Sequence, residues 1–144
     1  MTTFLFFVIV GLGIWSYLKF RKQYRLDSML CDFTRERLAN DSHNPQAAVE
    51  YGCALMQAQQ YRSALTVFEE VKRTGANARG VFPYLDANIQ FCRNPHPWSR
   101  SAEDHPGGSW LHHLLMRYMG GRRMVAISDV TLLEFNSQMR MLPR

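Results

Sequence analysis

The residues of this chain that could bind a metal ion lie in its second half. Cys92, His96, His105, His112 and His113 fall within about 22 residues, and thiolates and imidazoles are the usual ligands of zinc. Their spacings match no recognised ligand pattern. The two adjacent histidines point to different faces of a helix, and the proline-rich segment that precedes them would hold ligands poorly. We therefore expect no bound metal.

The motifs that carry out catalysis are also missing from the sequence. It contains no G-x-S-x-G nucleophile turn, no phosphate-binding glycine loop and no clear pair of acid–base carboxylates. Gly11 and Gly13 lie inside an apolar run, where they add flexibility to a helix and do not form a nucleotide loop. We expect a protein that is not an enzyme, with no cofactor and no small-molecule substrate.

The size and charge of the chain narrow its class. Its 144 residues allow one small domain plus one additional element, and its net charge is +5. Cys31, Cys53 and Cys92 are widely spaced and odd in number, so they form no disulfide framework and favour a reducing compartment. The densest basic block follows an apolar run, where attraction to anionic headgroups explains it. We therefore expect no nucleic-acid partner.

The apolar run from Phe4 to Leu18 has about fifteen residues without a charge, at the short end for a membrane-spanning helix. We predict a membrane anchor. A cleavable signal peptide would have a basic segment before its apolar core, and a mitochondrial targeting peptide would be amphipathic and rich in arginine. A buried core helix would be unusual at a terminus beside a basic block. The predicted anchor residues are Phe4, Leu5, Phe6, Phe7, Val8, Ile9, Val10, Leu12, Ile14, Trp15 and Leu18.

The basic block after the anchor is predicted to contact lipid headgroups. Its residues are Lys19, Arg21, Lys22 and Arg25. Because lysine and arginine favour the cytoplasmic side of a membrane, the block predicts an N-terminus on the outside and the bulk of the chain on the positive-inside face. We favour a mitochondrial membrane, with a bacterial inner membrane as the alternative.

Apolar side chains recur at helical spacing between Tyr24 and Leu38. We predict a stalk helix that continues from the anchor and packs its apolar face beside the following segment. The alternative is a separate helix, broken near Gln23. Asn44 and Pro45 then predict the start of the next helix, as its N-cap and its first helical residue.

Two segments between Pro45 and Val71 have small and apolar residues at helical spacing, with a short polar run between them. They predict an antiparallel helical hairpin. Gly52 lies in the middle of the first helix, where glycine costs about 1 kcal/mol relative to alanine. A close helix–helix approach would compensate for this cost, with Ala64 as the small residue on the facing helix.

This hairpin resembles a tetratricopeptide repeat, a helix–turn–helix unit of 34 residues. The resemblance is carried by Tyr51, Gly52, Leu55, Tyr61, Ala64 and Phe68. Ala48, Val71 and Ala76 depart from the repeat, in which tryptophan, alanine and proline are usual at these places. A second, degenerate repeat would begin with a helix over Val81–Cys92, in which Asp86 replaces the glycine.

The resemblance implies that one side of the first helix faces a partner. That side carries Gln46, Val49, Cys53, Met56 and Gln57. The alternative is that it packs on the chain's own stalk or last helix. Trp98, in a loop rich in proline and glycine, either inserts into a partner or folds back onto the core, and we include it among the predicted partner-binding residues.

The last predicted helix starts at Ser128 or Asp129. Its apolar side carries Leu132, Phe135, Met139 and Leu142. It would shield the end of the repeat, because a lone repeat cannot cover its own apolar face. The predicted fold is all-α, a single transmembrane helix followed by a small tetratricopeptide-like domain. Its parts are an anchor with its basic flank (1–22), a stalk helix (23–40), the hairpin with an extra helix (41–93), a loop (94–108) and C-terminal helices (109–144).

Two functions fit these features. The first is a non-catalytic, single-pass scaffold, an accessory subunit of a larger membrane complex of the respiratory or mitochondrial kind, whose partners are membrane lipids and other subunits. The second is a membrane-anchored receptor for amphipathic targeting peptides in protein import, which is similar in layout to the mitochondrial outer-membrane receptor. We favour the first, because a transient receptor has little use for the long loop and tail.

Overall fold

A computed structural model of the chain describes residues 2–77, 80–94 and 127–141. Over these ranges the protein is all-helical, as the sequence predicts. Its helices are α1 (Thr2–Asn40), α2 (Pro45–Gln57), α3 (Tyr61–Arg73), α4 (Leu85–Arg93) and α5 (Asp129–Met141). The predicted loop from residue 95 onward, with Trp98, and the part of the predicted C-terminal helices that precedes Ile127 lie outside the described residues, as does Leu142.

Helix α1 joins the anchor and the stalk without a break. It has 39 residues, a length of about 58 Å at 1.5 Å per residue. The alternative of a break near Gln23 is wrong, because α1 is one uninterrupted helix from Thr2 to Asn40. The Gln23 side chain also donates a 3.1 Å hydrogen bond to Asp27 one turn later. No proline or glycine interrupts the helix after Gly13. The apolar run and the stalk are therefore one continuous helix.

The hairpin of α2 and α3 is defined by its caps. The Asn44 side chain accepts a 3.0 Å hydrogen bond from the amide of Gln46, and Pro45 takes the first helical position, as predicted. At the other end of α2, the amide of Gln60 donates to the carbonyl of Leu55 at 2.9 Å, and Gln59 adopts φ = 62°. This is a Schellman motif with glutamine where glycine is usual. It reverses the chain within three residues.

Gly52 of α2 lies directly against a side chain of α3. A Cβ atom at this position would lie 2.5, 2.8 and 2.9 Å from three atoms of the Phe68 ring, and Phe68 is fully buried. The role predicted for Ala64, a small residue that lets the two backbones meet, stays a prediction, and the contact seen at Gly52 is with Phe68. The Phe68 ring, and not the small Ala64, occupies the space that a larger residue at Gly52 would need.

Helix α4 packs against α3 and closes the main core. The sequence predicts a helix from Val81, but α4 begins at Leu85, because proline disfavours helical geometry in the residue before it, here Phe82. The Phe82 amide instead donates a 2.8 Å hydrogen bond to the Asn77 side chain. The core comprises Val49, Cys53, Leu55, Met56, Tyr61, Ala64, Phe68, Val71, Phe82, Leu85, Ile89 and Cys92.

Helix α5 packs on α1 and α2 through a second, smaller core. Phe135 is buried together with Leu30 and Ala54, and its ring centroid lies 5.7 Å from that of Phe33. Leu132 and Met139 pack at the edge of this cluster, so the predicted apolar side of the last helix is confirmed over the described residues. An exposed ion pair between Arg37 and Glu134 lies beside this cluster.

Candidate functional site

The predicted anchor residues form the most apolar exposed surface of the described chain. Their side chains, from Phe4 to Leu18, are between 39% and 76% exposed. Among the described residues, α1 is the one helix long and apolar enough to cross a membrane, and none of its most apolar window is buried by the protein. Exposed apolar surface of this extent in a soluble protein marks an interaction surface. The length and composition of α1 make it a candidate membrane-spanning helix.

The basic block lies on α1 directly after the apolar run. The Lys19 ammonium lies 5.1 Å from the centroid of the Trp15 ring, a cation–π contact at the end of the apolar segment. Arg21, Lys22 and Arg25 are exposed. The predicted contact of these four cations with lipid headgroups stays a prediction.

Three of the predicted partner-binding residues lie in the core. Val49, Cys53 and Met56 are 3%, 0% and 1% exposed. They belong to the core cluster that also contains Leu85, Ile89 and Cys92 of α4, and the Asn88 side chain of α4 lies 3.9 Å from the Cys53 sulfur, so this side of α2 is packed inside the protein. Only Gln46 is exposed and Gln57 half-buried, while Trp98 lies outside the described residues. Of the predicted partner-binding face of α2, only the N-terminal end, at Gln46, is therefore exposed among the described residues.

A cleft opens at that end of α2, between it and the start of α4. Its volume is about 160 Å³. Its lining residues are Gln46, Val49, Val81, Phe82, Pro83, Tyr84, Leu85 and Asn88. A cavity of about 150 Å³ holds a molecule the size of benzene. The cleft therefore has room for one apolar side chain from another protein.

The local backbone builds this cleft. Gly80 takes φ = 66°, a conformation that glycine adopts without strain, and the Asn77 side chain holds the Phe82 amide. These constraints turn the Phe82 ring into the core, while Val81 and Tyr84 stay exposed at the rim. The sequence does not indicate this cleft, because the pattern of the same residues predicts the first turn of a helix.

Asn88 is a buried polar residue in the wall of the cleft. It is 1% exposed, and its side-chain nitrogen lies 3.9 Å from the Cys53 sulfur. Its oxygen has no hydrogen-bond partner among the residues the structure describes. A buried polar group without a partner costs about 1–3 kcal/mol. The sequence signal was a single amide between Leu85 and Ile89, on the apolar side of α4.

Glu50 is a second buried polar group, and its hydrogen bonds are extensive. It is 2% exposed and accepts from Gln46 at 2.9 Å and from the hydroxyl groups of Ser128 and Thr131 at 2.7 Å each. Burial alone would raise its pKa, but these donors outweigh burial and hold the pKa below the usual 4.5. A carboxylate whose acceptors are filled in this way is a structural link and not a catalytic base.

Burial favours the protonated form of two cysteine thiols. Burial raises the pKa of Cys31 to about 12, assisted by Asp27 and Asp32. Burial likewise raises the pKa of Cys92 to about 12. Neither thiol is therefore a ready nucleophile or metal ligand. Within 2–77, 80–94 and 127–141, no group of three or more histidine, cysteine or acidic side chains could hold a metal ion.

Comparison with other proteins does not assign the chain to a family. No family model, curated protein or solved structure matches it. The tetratricopeptide resemblance therefore stays a prediction. It rests on the hairpin residues and on the glycine–aromatic contact between α2 and α3.

Proposed function

We propose that this chain is a non-catalytic, single-pass membrane scaffold, an accessory subunit of a larger membrane complex of the respiratory or mitochondrial kind. The observation that carries the proposal is the continuity of α1. One helix presents the exposed apolar run at its start and contributes Leu30 and Thr34 to the packed part of the protein at its other end. We call this packed part, formed by the C-terminal half of α1 with α2–α5, the head. Such a helix holds a small helical head at a fixed distance from a bilayer.

That distance is short. Leu30, the first buried apolar residue of α1, follows Leu18 by twelve residues, or about 18 Å of helix. A partner's membrane-proximal loops lie within this range. The cations directly after the apolar run favour a head on the positive-inside face of the membrane. This arrangement suits contacts with neighbouring subunits.

The cleft between α2 and α4 is the contact point we propose on the head. It fits one apolar side chain, its rim exposes Val81 and Tyr84, and its wall holds the Asn88 amide oxygen that lacks a partner in the described structure. A partner side chain that combines an apolar body with an N–H or O–H donor would fill the cleft and pair with Asn88. Tryptophan and tyrosine, which are frequent among the residues that dominate the binding energy of protein interfaces, have this chemistry.

The receptor alternative has less support. An amphipathic targeting peptide would lay a whole helical face into an apolar groove. Met56, which that alternative places in the groove, is 1% exposed, and the cleft is one side chain in size. A scaffold with a point contact therefore agrees better with the described surface.

Co-purification tests the scaffold proposal. The tagged full-length chain, extracted in a mild detergent, should migrate on a native gel within a larger complex and bring stoichiometric partners. Migration of the chain alone would overturn the proposal.

A matched pair of variants tests the cleft. Val81 at the cleft rim and Val130 on α5 are both 62% exposed. Val81→Glu should release the partners, whereas Val130→Glu should retain them. Equal retention by both variants would exclude the cleft as the contact point.

A further inference from the structure

The exposed cations after the anchor differ from most of the other cations that the structure describes. Arg35, Arg37, Lys72, Arg73 and Arg93 each pair with a carboxylate. Arg21, Lys22 and Arg25 form no ion pair with any acid in the described ranges. The closest acid along the chain, Asp27, is buried and accepts from Gln23. Three neighbouring cations therefore have no acidic partner within the described ranges.

Helix geometry brings these cations together. At 3.6 residues per turn, Leu18, Arg21, Arg25 and Ser28 lie within about 80° of the α1 circumference, and Lys22 and Tyr24 flank them. The same residues line a shallow groove, open to solvent, along one side of α1. Lys19 lies on the other side of the helix, over Trp15, and does not line the groove. The groove thus has an apolar end at Leu18 and a cationic, hydroxyl-bearing remainder.

The position of the groove relative to the bilayer indicates that its ligand is a lipid. Leu18 ends the apolar run, so the Cα atoms of Arg21 and Arg25 lie about 4.5 and 10.5 Å beyond it along the axis. The headgroup region of a bilayer extends about 5–7 Å beyond the hydrocarbon on each side, and long arginine side chains bend back towards it. Guanidinium groups bind phosphate through two parallel hydrogen bonds.

We propose that this groove, defined by Leu18, Arg21, Lys22, Tyr24, Arg25 and Ser28, binds one anionic phospholipid. Arg21 and Arg25 hold its phosphate, Lys22 contacts the remainder of the headgroup, and an acyl chain follows Leu18 into the membrane. This inference rests on the anchoring proposed above and adds a specific lipid partner to it. A bound lipid of this kind would fix the rotation of α1 about its axis.

Native mass spectrometry of the full-length chain tests this inference. The chain is released from mixed micelles that contain equal amounts of phosphatidylglycerol and phosphatidylcholine, and the retained lipids are counted. We expect one retained phosphatidylglycerol, in excess over phosphatidylcholine. The double variant Arg21→Gln/Arg25→Gln should lower this excess at least about tenfold, because each cation near a membrane surface contributes roughly a factor of five.

The matched control removes two positive charges elsewhere. Arg35→Gln/Arg73→Gln changes the net charge equally, and both of its arginines already pair with an acid three residues away. This control should retain the lipid as the wild type does. Equal losses in the two double variants would overturn the site, since a general charge effect would then explain retention. Displacement of the lipid by 10 mM inorganic phosphate would also overturn it, in favour of a free-phosphate site.

A carbonate wash of membranes that carry the same variants separates the two proposals. Release of the wild-type chain would contradict the membrane anchor itself. If the wild type resists the wash and yet retains both lipids equally, the anchor stands and the lipid site is wrong. Both double variants should resist the wash, because they leave the apolar run unchanged.

Discussion

The carboxylate of Glu50 in α2 accepts a 2.7 Å hydrogen bond from the hydroxyl of Thr131 in α5, across 81 positions of sequence. Ser128, which caps α5 by accepting from the Thr131 amide at 3.3 Å, donates to the same carboxylate. The negative charge therefore lies at the N-terminus of α5, where the helix dipole favours an anion. Glu50 fixes the position at which the last helix begins.

Replacing this carboxylate should loosen α5. In Glu50→Gln one acceptor oxygen becomes an amide donor, and the charge at the helix N-terminus is lost. We expect a loss of about 1–3 kcal/mol in the free energy that protects the α5 amides from hydrogen exchange. The control is Glu134→Gln, which removes an exposed ion pair with Arg37 and should cost less than about 1 kcal/mol. Similar losses in both variants would show that Glu50 has no special role.

The same residue predicts a pH dependence. Because the pKa of Glu50 is lowered in the folded state, the unfolded chain binds the proton more readily. Its contribution to stability is complete well above pH 4.5, the usual pKa, and disappears as the pH falls through the lower folded value. Hydrogen exchange of the α5 amides, measured between pH 7 and pH 3 and corrected for the intrinsic rate, should show this loss. In Glu50→Gln the dependence should be weaker, and an unchanged profile would contradict the prediction.

Gly52→Ala should destabilise the hairpin. The new methyl group would lie within 3 Å of the buried Phe68 ring, and overpacking of this kind costs about 1–3 kcal/mol. Thermal unfolding of the head in the detergent-solubilised chain measures the effect. Gly13→Ala is the control, since nothing lies within 4 Å of the added methyl group.

A second substitution tests whether the contact with Phe68 is the cause. In Gly52→Ala/Phe68→Leu the smaller side chain makes room for the methyl group, so the double variant should lose less stability than the two single losses combined. Additive losses would place the cause elsewhere.

The native thiols should resist alkylation. A pKa of about 12 for Cys31 and Cys92, against an ordinary value of 9.0, lowers the thiolate fraction about 1,000-fold, and the thiolate is the reactive form. Cys53 is fully buried. Intact-mass analysis after iodoacetamide treatment at pH 8 should show little modification of the folded chain and three additions in urea. Rapid modification without urea would contradict this assignment.

Local patterns in the sequence were sufficient to predict the helices. The spacing of Leu132, Phe135 and Met139 predicted the buried side of α5, and Asn44 and Pro45 predicted the start of α2, because capping and periodicity depend on neighbouring residues. The continuity of α1 followed from the absence of helix-breaking residues near Gln23. These features require no knowledge of tertiary contacts.

The contacts between distant segments were not predictable in the same way. The spacing of Cys53 and Met56 was compatible with an open face, and only the position of α4 shows that they are core residues. Glu50 has the sequence context of a surface residue, four positions after Gln46, and its hydroxyl donors lie about 80 positions away. The Asn88 cleft exists because Pro83 delays the start of α4, a difference of four residues from the predicted helix.

In the proposed membrane orientation, a tilt of the unbroken α1 would move the head sideways. Transmembrane helices tilt by about 20° on average to match their apolar length to the thickness of the bilayer. From Leu18 to Asn40 the helix extends about 33 Å, so a tilt of about 20° would move its far end sideways by about 11 Å. The lateral position of the head would then depend on the thickness of the surrounding bilayer, with no hinge between the two to absorb the motion.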